Sequence, residues 1–137
     1  MKKLISRSQE ETIALGEEFG STLEVGSVVC FFGDLGAGKT TFIKGLVKGF
    51  SGYPSEHVNS PTFVYLNIYE SAKTVYHFDL YRLKNSEQFI SMGFDEMFYM
   101  AGVSLVEWSE KIEDILPENR IKITIKHQGE SREITII

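Results

Sequence analysis

Residues Gly33-Asp34-Leu35-Gly36-Ala37-Gly38-Lys39-Thr40 fit the pattern G-x-x-x-x-G-K-[ST], that of a loop which cradles phosphate. Each residue type has a job in that chemistry. The glycines let the backbone curl until successive N–H groups point inward at one anion. Lys39 adds a full positive charge, and the Thr40 hydroxyl is a hard oxygen ligand for Mg²⁺. The expected phosphate contacts are Asp34, Leu35, Gly36, Ala37, Gly38, Lys39, Thr40 and Thr41.

Two acids stand at the ends of apolar runs. Val103-Ser104-Leu105-Val106-Glu107-Trp108 is an apolar stretch that ends in a carboxylate. A carboxylate at the end of a strand beside a phosphate loop is what Mg²⁺ coordination needs, directly or through water. Glu107 stands where Asp is commoner in such a strand; the competing reading is a solvated strand end. Trp108, the one tryptophan, packs or stacks near that site. In His77-Phe78-Asp79-Leu80-Tyr81-Arg82-Leu83, Asp79 and Arg82 fall at a second strand end, where α/β sheets bind ligands. A salt bridge between them is the alternative. Thr62, in Ser60-Pro61-Thr62-Phe63, sits where a nucleotide-sensing switch would place a hydroxyl against Mg²⁺ and the outer phosphate. Otherwise Ser60-Pro61 merely opens a strand.

Such groups must be held by strands and helices. Val28-Val29-Cys30-Phe31-Phe32 is apolar throughout, as a parallel strand buried on both faces should be. After the loop, Phe42, Ile43, Leu46 and Val47 recur at helical spacing. A helix N-terminus there contributes its dipole and unpaired donors. Ser8 and Glu11 have capping-box spacing for a first helix whose apolar face is Ile13, Leu15, Phe19 and Leu23, punctuated by Gly20 and Gly26. That helix serves packing, or its start near Gln9 borders a nucleotide base. Residues 49–61 read as a long loop rich in Gly, Ser and Pro. Residues 63–69 and 74–78 read as a hairpin, 86–92 and 94–100 as short helices, and 109–116 as a short helix stopped by Pro117. Residues 121–126 and 132–137 form a closing hairpin at a sheet edge. The expected fold is α/β: a mainly parallel sheet with flanking helices plus antiparallel hairpin strands, in one domain over residues 1–137.

Composition narrows the class. The net charge of −5 argues against a broad nucleic-acid surface, which needs a basic field, and leaves room for a local basic patch or for binding to a protein that itself holds RNA. No apolar run reaches the roughly 18 residues of a membrane span, and the N-terminus lacks the apolar core of a signal peptide. The single cysteine, Cys30, reads as a packed thiol. A cytoplasmic protein is the expectation.

The segments 33–41, 60–63, 77–83 and 106–110, in this order and spacing, together resemble the TsaE (formerly YjeE) family of bacterial ATPases. The resemblance covers nearly the whole chain and implies a P-loop NTPase fold with weak ATP hydrolysis. It implies a role in making N6-threonylcarbamoyladenosine at position 37 of tRNAs that read codons beginning with A. The implied partner is a TsaB–TsaD complex, with tRNA met only through it, no membrane, and ATPase activity needed for repeated turnover rather than for the transfer itself. Carried over by position, Lys39 and the backbone of residues 36–41 hold phosphates, and Thr40 and Glu107 hold Mg²⁺. Thr62 and Asp79 lie in regions that respond to nucleotide, and Trp108 lies beside it.

The expected catalytic residues are therefore Lys39, Asp79 and Glu107, with Asp79 either positioning water or holding magnesium through water. Other functions fit the same loop. A small-molecule or nucleotide kinase needs an acceptor pocket and often an arginine-rich lid, and Arg7, Arg82, Arg120 and Arg132 are scattered. A GTPase would carry Asn-Lys-x-Asp, which is absent from the sequence. A nucleotide-gated binding module would show incidental hydrolysis only.

Overall fold

Apolar runs alternating with amphipathic stretches assemble here into a sheet covered on both faces. The computed structural model describes residues 1–34, 38–61 and 63–137. Among them are strands β1 (Lys2–Ser6), β2 (Val28–Phe32), β3 (Leu66–Glu70), β4 (Thr74–Asp79), β5 (Val103–Glu107), β6 (Ile121–Gln128) and β7 (Ser131–Ile136). They form one sheet in the order β1-β7-β6-β2-β5-β4-β3. The central four strands, β6, β2, β5 and β4, run parallel. The outer β7, β1 and β3 are antiparallel to their neighbours. The expected α/β class holds, with parallel core strands and hairpins outside them.

Helices α1 (Gln9–Thr22) and α2 (Lys39–Ser51) cover one face, and the short α3 (Ser86–Ser91) lies on the other with 3₁₀ turns at Phe94–Tyr99 and Ser109–Ile115. Side chains alternate along each strand, so β2 feeds both cores. Val29 and Phe31 pack with Leu105 and Ile123 beneath Phe42, Ile43 and Leu46 of α2. Cys30 packs oppositely with Phe78, Val106, Phe89 and Ile112. This explains why β2 is apolar at every position. Burial pushes the Cys30 thiol above its ordinary range, by desolvation first.

The α1–α2 contact departs from the expected apolar stripe. The Ser8 hydroxyl does cap α1, accepting from the Glu11 N–H at 3.0 Å, and Leu23 lies just past the helix end. The buried helical positions, however, are Thr12, Gly16 and Gly20. A Cβ on Gly16 or Gly20 would overlap the α2 backbone at Phe42 or Leu46, and one on Gly45 or Gly49 would overlap the α1 backbone at Ile13 or Glu17. Glycines on both helices let the backbones touch, so Gly20 is an interface residue rather than a break.

The ends of the sheet also differ from expectation. Residues 2–6 form β1, which pairs with β7, so the closing hairpin is covered and β1 is the edge. Polar and basic residues on an edge strand discourage further pairing, and they hide the strand in the sequence. Helix α2 runs to Ser51, shortening the loop, which then contains a 3₁₀ turn at Ser55–His57. Strand β3 begins at Leu66 rather than Phe63. Among the described residues no helix is long and apolar enough to cross a membrane.

Candidate nucleotide site

Strand β2 stops at Phe32, Gly33 and Asp34 follow, and Leu35, Gly36 and Ala37 lie outside the described residues. The chain resumes at Gly38, the N-cap of α2, with φ 106°. That left-handed backbone suits glycine and would strain a side chain. Lys39, Thr40 and Thr41 form the first turn, each partly exposed. Their N–H groups are among those a helix start leaves without intrahelical partners, and an anion is favoured there. The Lys39 ammonium lies 5.6 Å from the centroid of the Trp108 ring, within cation–π range.

The two expected acids come together. Strands β4 and β5 end side by side, with Asp79 opposite Glu107 and Glu107 opposite Phe31 of β2. Both carboxylates lie at the C-terminal edge of the parallel strands, and each residue is 5% exposed. Glu107 Oε2 takes a 2.9 Å hydrogen bond with His77 Nε2. Asp79 Oδ1 accepts from the Tyr81 N–H at 3.1 Å, and Oδ2 accepts from the Ser60 hydroxyl at 3.2 Å. The loop before Pro61 thus reaches the acid pair, while Thr62 lies outside the described residues. Among the described residues no ion pair links Asp79 to Arg82; the Arg82 guanidinium lies over Phe63, 4.7 Å from the ring centroid. The salt-bridge reading of that pair is corrected.

Backbone strain collects at the same edge. Among the described residues, the non-glycine positions with positive φ are Tyr65 at 66° and Trp108 at 61°. Such a conformation costs of order 1–3 kcal/mol and persists where surroundings impose it. The Tyr65 carbonyl accepts the Asp79 N–H, and the Glu107 carbonyl accepts the Leu80 N–H. Trp108, turned out by its backbone, is 38% exposed and packs on Tyr81 at a centroid distance of 5.0 Å.

Gln9 lines a cleft of about 240 Å³ that also touches Ser8, Gly38 and Thr41. Its far wall is Glu130 and Arg132, which sequence reasoning missed. No motif surrounds them; only the pairing of β7 with β6 brings the hairpin beside the α2 N-terminus. A Cβ on Gly38 would come within 3.7 Å of Arg132 Nε.

The donors suit magnesium. Among the described residues, no group of three or more His, Cys, Asp or Glu forms a metal cage. What is present is a hydroxyl at Thr40 and a carboxylate at Glu107 whose second oxygen takes no hydrogen bond from described residues. Few hard oxygens beside a phosphate loop fit an ion that keeps its waters and binds largely through substrate phosphates.

Comparison with known proteins points to one family. Residues 6–134 match the model of the family described as threonylcarbamoyl adenosine biosynthesis protein TsaE. The tRNA threonylcarbamoyladenosine biosynthesis protein TsaE of Treponema pallidum is 41% identical over 135 residues, covering 98% of both chains. Its Bacillus subtilis counterpart is 42% identical over 139 residues, covering 98% of this chain and 85% of that one. The crystal structure of Bacillus subtilis YdiB superposes with a TM-score of 0.80 at 37% identity, covering 98% of this chain and 83% of that one. This chain belongs to the TsaE family of P-loop proteins, which functions in the biosynthesis of threonylcarbamoyladenosine in tRNA.

Proposed function

We propose that the protein is a weak, Mg²⁺-dependent ATPase that serves a TsaB–TsaD-like complex during threonylcarbamoylation of adenosine 37 in tRNA, without transferring the group itself. The observation that carries this is the adjacency of Asp79 and Glu107 at the end of the strands flanking the loop-to-helix junction at Lys39. Family membership supports nucleotide binding, and the single sheet through all seven strands supports reading residues 1–137 as one domain.

In the reaction, water attacks the γ-phosphorus as the bond to the β,γ-bridging oxygen breaks, leaving ADP and phosphate. Little covalent work falls to the protein, so positioning and charge dominate. Lys39 and the first N–H groups of α2 hold the phosphates and meet the charge spreading onto them. Asp79, buried and fixed by Tyr81 and Ser60, orients water. Thr40 and Glu107 would hold magnesium, which would supply charge neutralisation at the phosphates. Trp108 borders the phosphates and Gln9 the nucleoside. The net charge of −5 supports tRNA being met through the protein partner.

The test is multiple-turnover tRNA modification by the TsaB–TsaD complex with this protein added or omitted, in parallel with phosphate release. Repeated turnover only when protein and ATP are both present is the expected result. Equal turnover without it overturns the accessory role, and turnover without hydrolysis favours a nucleotide-gated binding module.

A further inference from the structure

A chain of polar contacts, used by no step above, runs from the Glu107 carboxylate to the segment that follows α2. His77 is fully buried. Its Nε2 meets Glu107 Oε2 at 2.9 Å, and its Nδ1 meets the Tyr69 hydroxyl at 3.1 Å. The Tyr69 hydroxyl donates to the Asn59 carbonyl at 2.7 Å and accepts from the Asn59 N–H at 3.3 Å. Asn67 closes the chain, its amide donating to the Asn59 carbonyl at 3.1 Å. Tyr53 packs on the Tyr69 ring at a centroid distance of 5.1 Å, so the segment roofs the buried relay.

A buried histidine is often only a satisfied core residue. Here one ring nitrogen is spent on the carboxylate at the strand end, and the other leads away to a loop backbone. Partners of this kind fix the orientation of a metal-holding carboxylate. With Nε2–H given to Glu107, Nδ1 is an acceptor. The Tyr69 hydroxyl then has one proton and two acceptors in reach, Nδ1 and the Asn59 carbonyl. Burial raises the pKa of Tyr69, which keeps that proton on the phenolic oxygen. Docking of Asn59 and the orientation of His77 therefore compete for the same proton. An arrangement with two alternatives is what coupling between sites requires.

We propose that His77 is the positioning residue for the Glu107 carboxylate, and that through Tyr69 it couples that carboxylate to the backbone of Asn59. This rests on the reading that Glu107 holds magnesium. The segment before Ser60 then senses magnesium-bound nucleotide through side chains that never touch it.

Paired substitutions separate the two ends of the relay. The amide of Gln reaches where Nε2 lies and that of Asn where Nδ1 lies. In the full-length protein, Mg²⁺ is titrated into ADP-bound samples and followed by Trp108 fluorescence. His77→Gln keeps the Mg²⁺ midpoint within about twofold of wild type, while His77→Asn raises it about tenfold. Neither changes ADP affinity in EDTA. Hydrogen exchange at Asn59, slowed by Mg²⁺·ADP in wild type, loses its response to Mg²⁺ in Tyr69→Phe. Equal midpoints for the two His77 variants, ADP affinity in EDTA falling in parallel, or Tyr69→Phe retaining Mg²⁺-dependent protection would each overturn the proposal. Glu107→Gln serves as the control. If its Mg²⁺ midpoint is normal, Glu107 is not the metal ligand and the underlying reading fails; if its midpoint rises while His77→Asn and Tyr69→Phe both behave as wild type, the relay alone fails.

Discussion

Asp79 and Glu107 face each other across the parallel β4–β5 pair, which sets two buried carboxylates about 5 Å apart at the backbone. Each is held differently, Glu107 by a ring nitrogen and Asp79 by a backbone N–H and a serine hydroxyl. A divalent cation with a bound phosphate would bring charge of both signs to this pair. On the function proposed above, Glu107 would face the metal and Asp79 the attacking water.

Glu107→Gln keeps the shape and the contact to His77 but removes the charge. ATP will still bind, and hydrolysis will fall about tenfold or more, equivalent to roughly 1.4 kcal/mol of barrier. Steady-state phosphate release against Mg²⁺ concentration checks this. Unchanged hydrolysis and Mg²⁺ dependence would move the metal to Asp79.

Lys39→Ala removes the cation at the start of α2 while leaving the helix intact, since Lys39 is partly exposed and ends beside Trp108. ATP affinity will drop about a hundredfold, or roughly 2.7 kcal/mol, with unchanged thermal unfolding. Trp108 fluorescence during ATP titration is a direct reporter, and wild-type affinity would sink the phosphate role of Lys39.

The sequence made the β2–loop–α2 unit and the strand ending in Glu107 legible because each rests on local pattern: an apolar run, a glycine spacing, a charge at its end. The α1–α2 seam escaped because Gly16, Gly20, Gly45 and Gly49 carry no hydrophobic signal, although they set how closely the helices approach. Strand β1 escaped because an edge strand rich in Lys and Ser has no apolar run to mark it. Glu130, Arg132, His77 and Tyr69 were out of reach for another reason. The contacts of Glu130 and Arg132 with the α2 start and of His77 with Glu107 come only from strand pairing.

Gly45→Ala places a methyl group into the Ile13 carbonyl. Overpacking of this kind costs about 1–3 kcal/mol, more than the helix propensity gained from alanine, which is about 1 kcal/mol. The urea midpoint will fall at unchanged slope, and a stabilised variant would show that the helices can part without cost.

Cys30 lies in the centre of β2 with no exposed surface, and its pKa is raised chiefly by burial. Deprotonation therefore begins at higher pH than for a free thiol, and the reactive thiolate is scarce across the neutral range. Maleimide labelling at pH 7 will be negligible in the native protein and complete in denaturant. Rapid native labelling would mean that β2 opens locally.

Arg132 tests where the rest of the nucleotide goes. The cleft beyond Gly38 and Thr41 runs between Gln9 on α1 and Arg132 on the closing hairpin. With the phosphates at the start of α2, as proposed above, the nucleoside would have this cleft to enter. A guanidinium on its wall can stack on a base or bond to ribose through its donor fork. Arg132→Ala will weaken ATP about threefold to tenfold, roughly 0.7–1.4 kcal/mol, and leave pyrophosphate affinity and the Mg²⁺ midpoint unchanged. The Lys39→Ala variant will lose both ligands, which sets the two residues apart. Competition of ATP and pyrophosphate against a fluorescent nucleotide measures this. If Arg132→Ala weakens pyrophosphate as much as ATP, the guanidinium serves the phosphates and the nucleoside lies elsewhere.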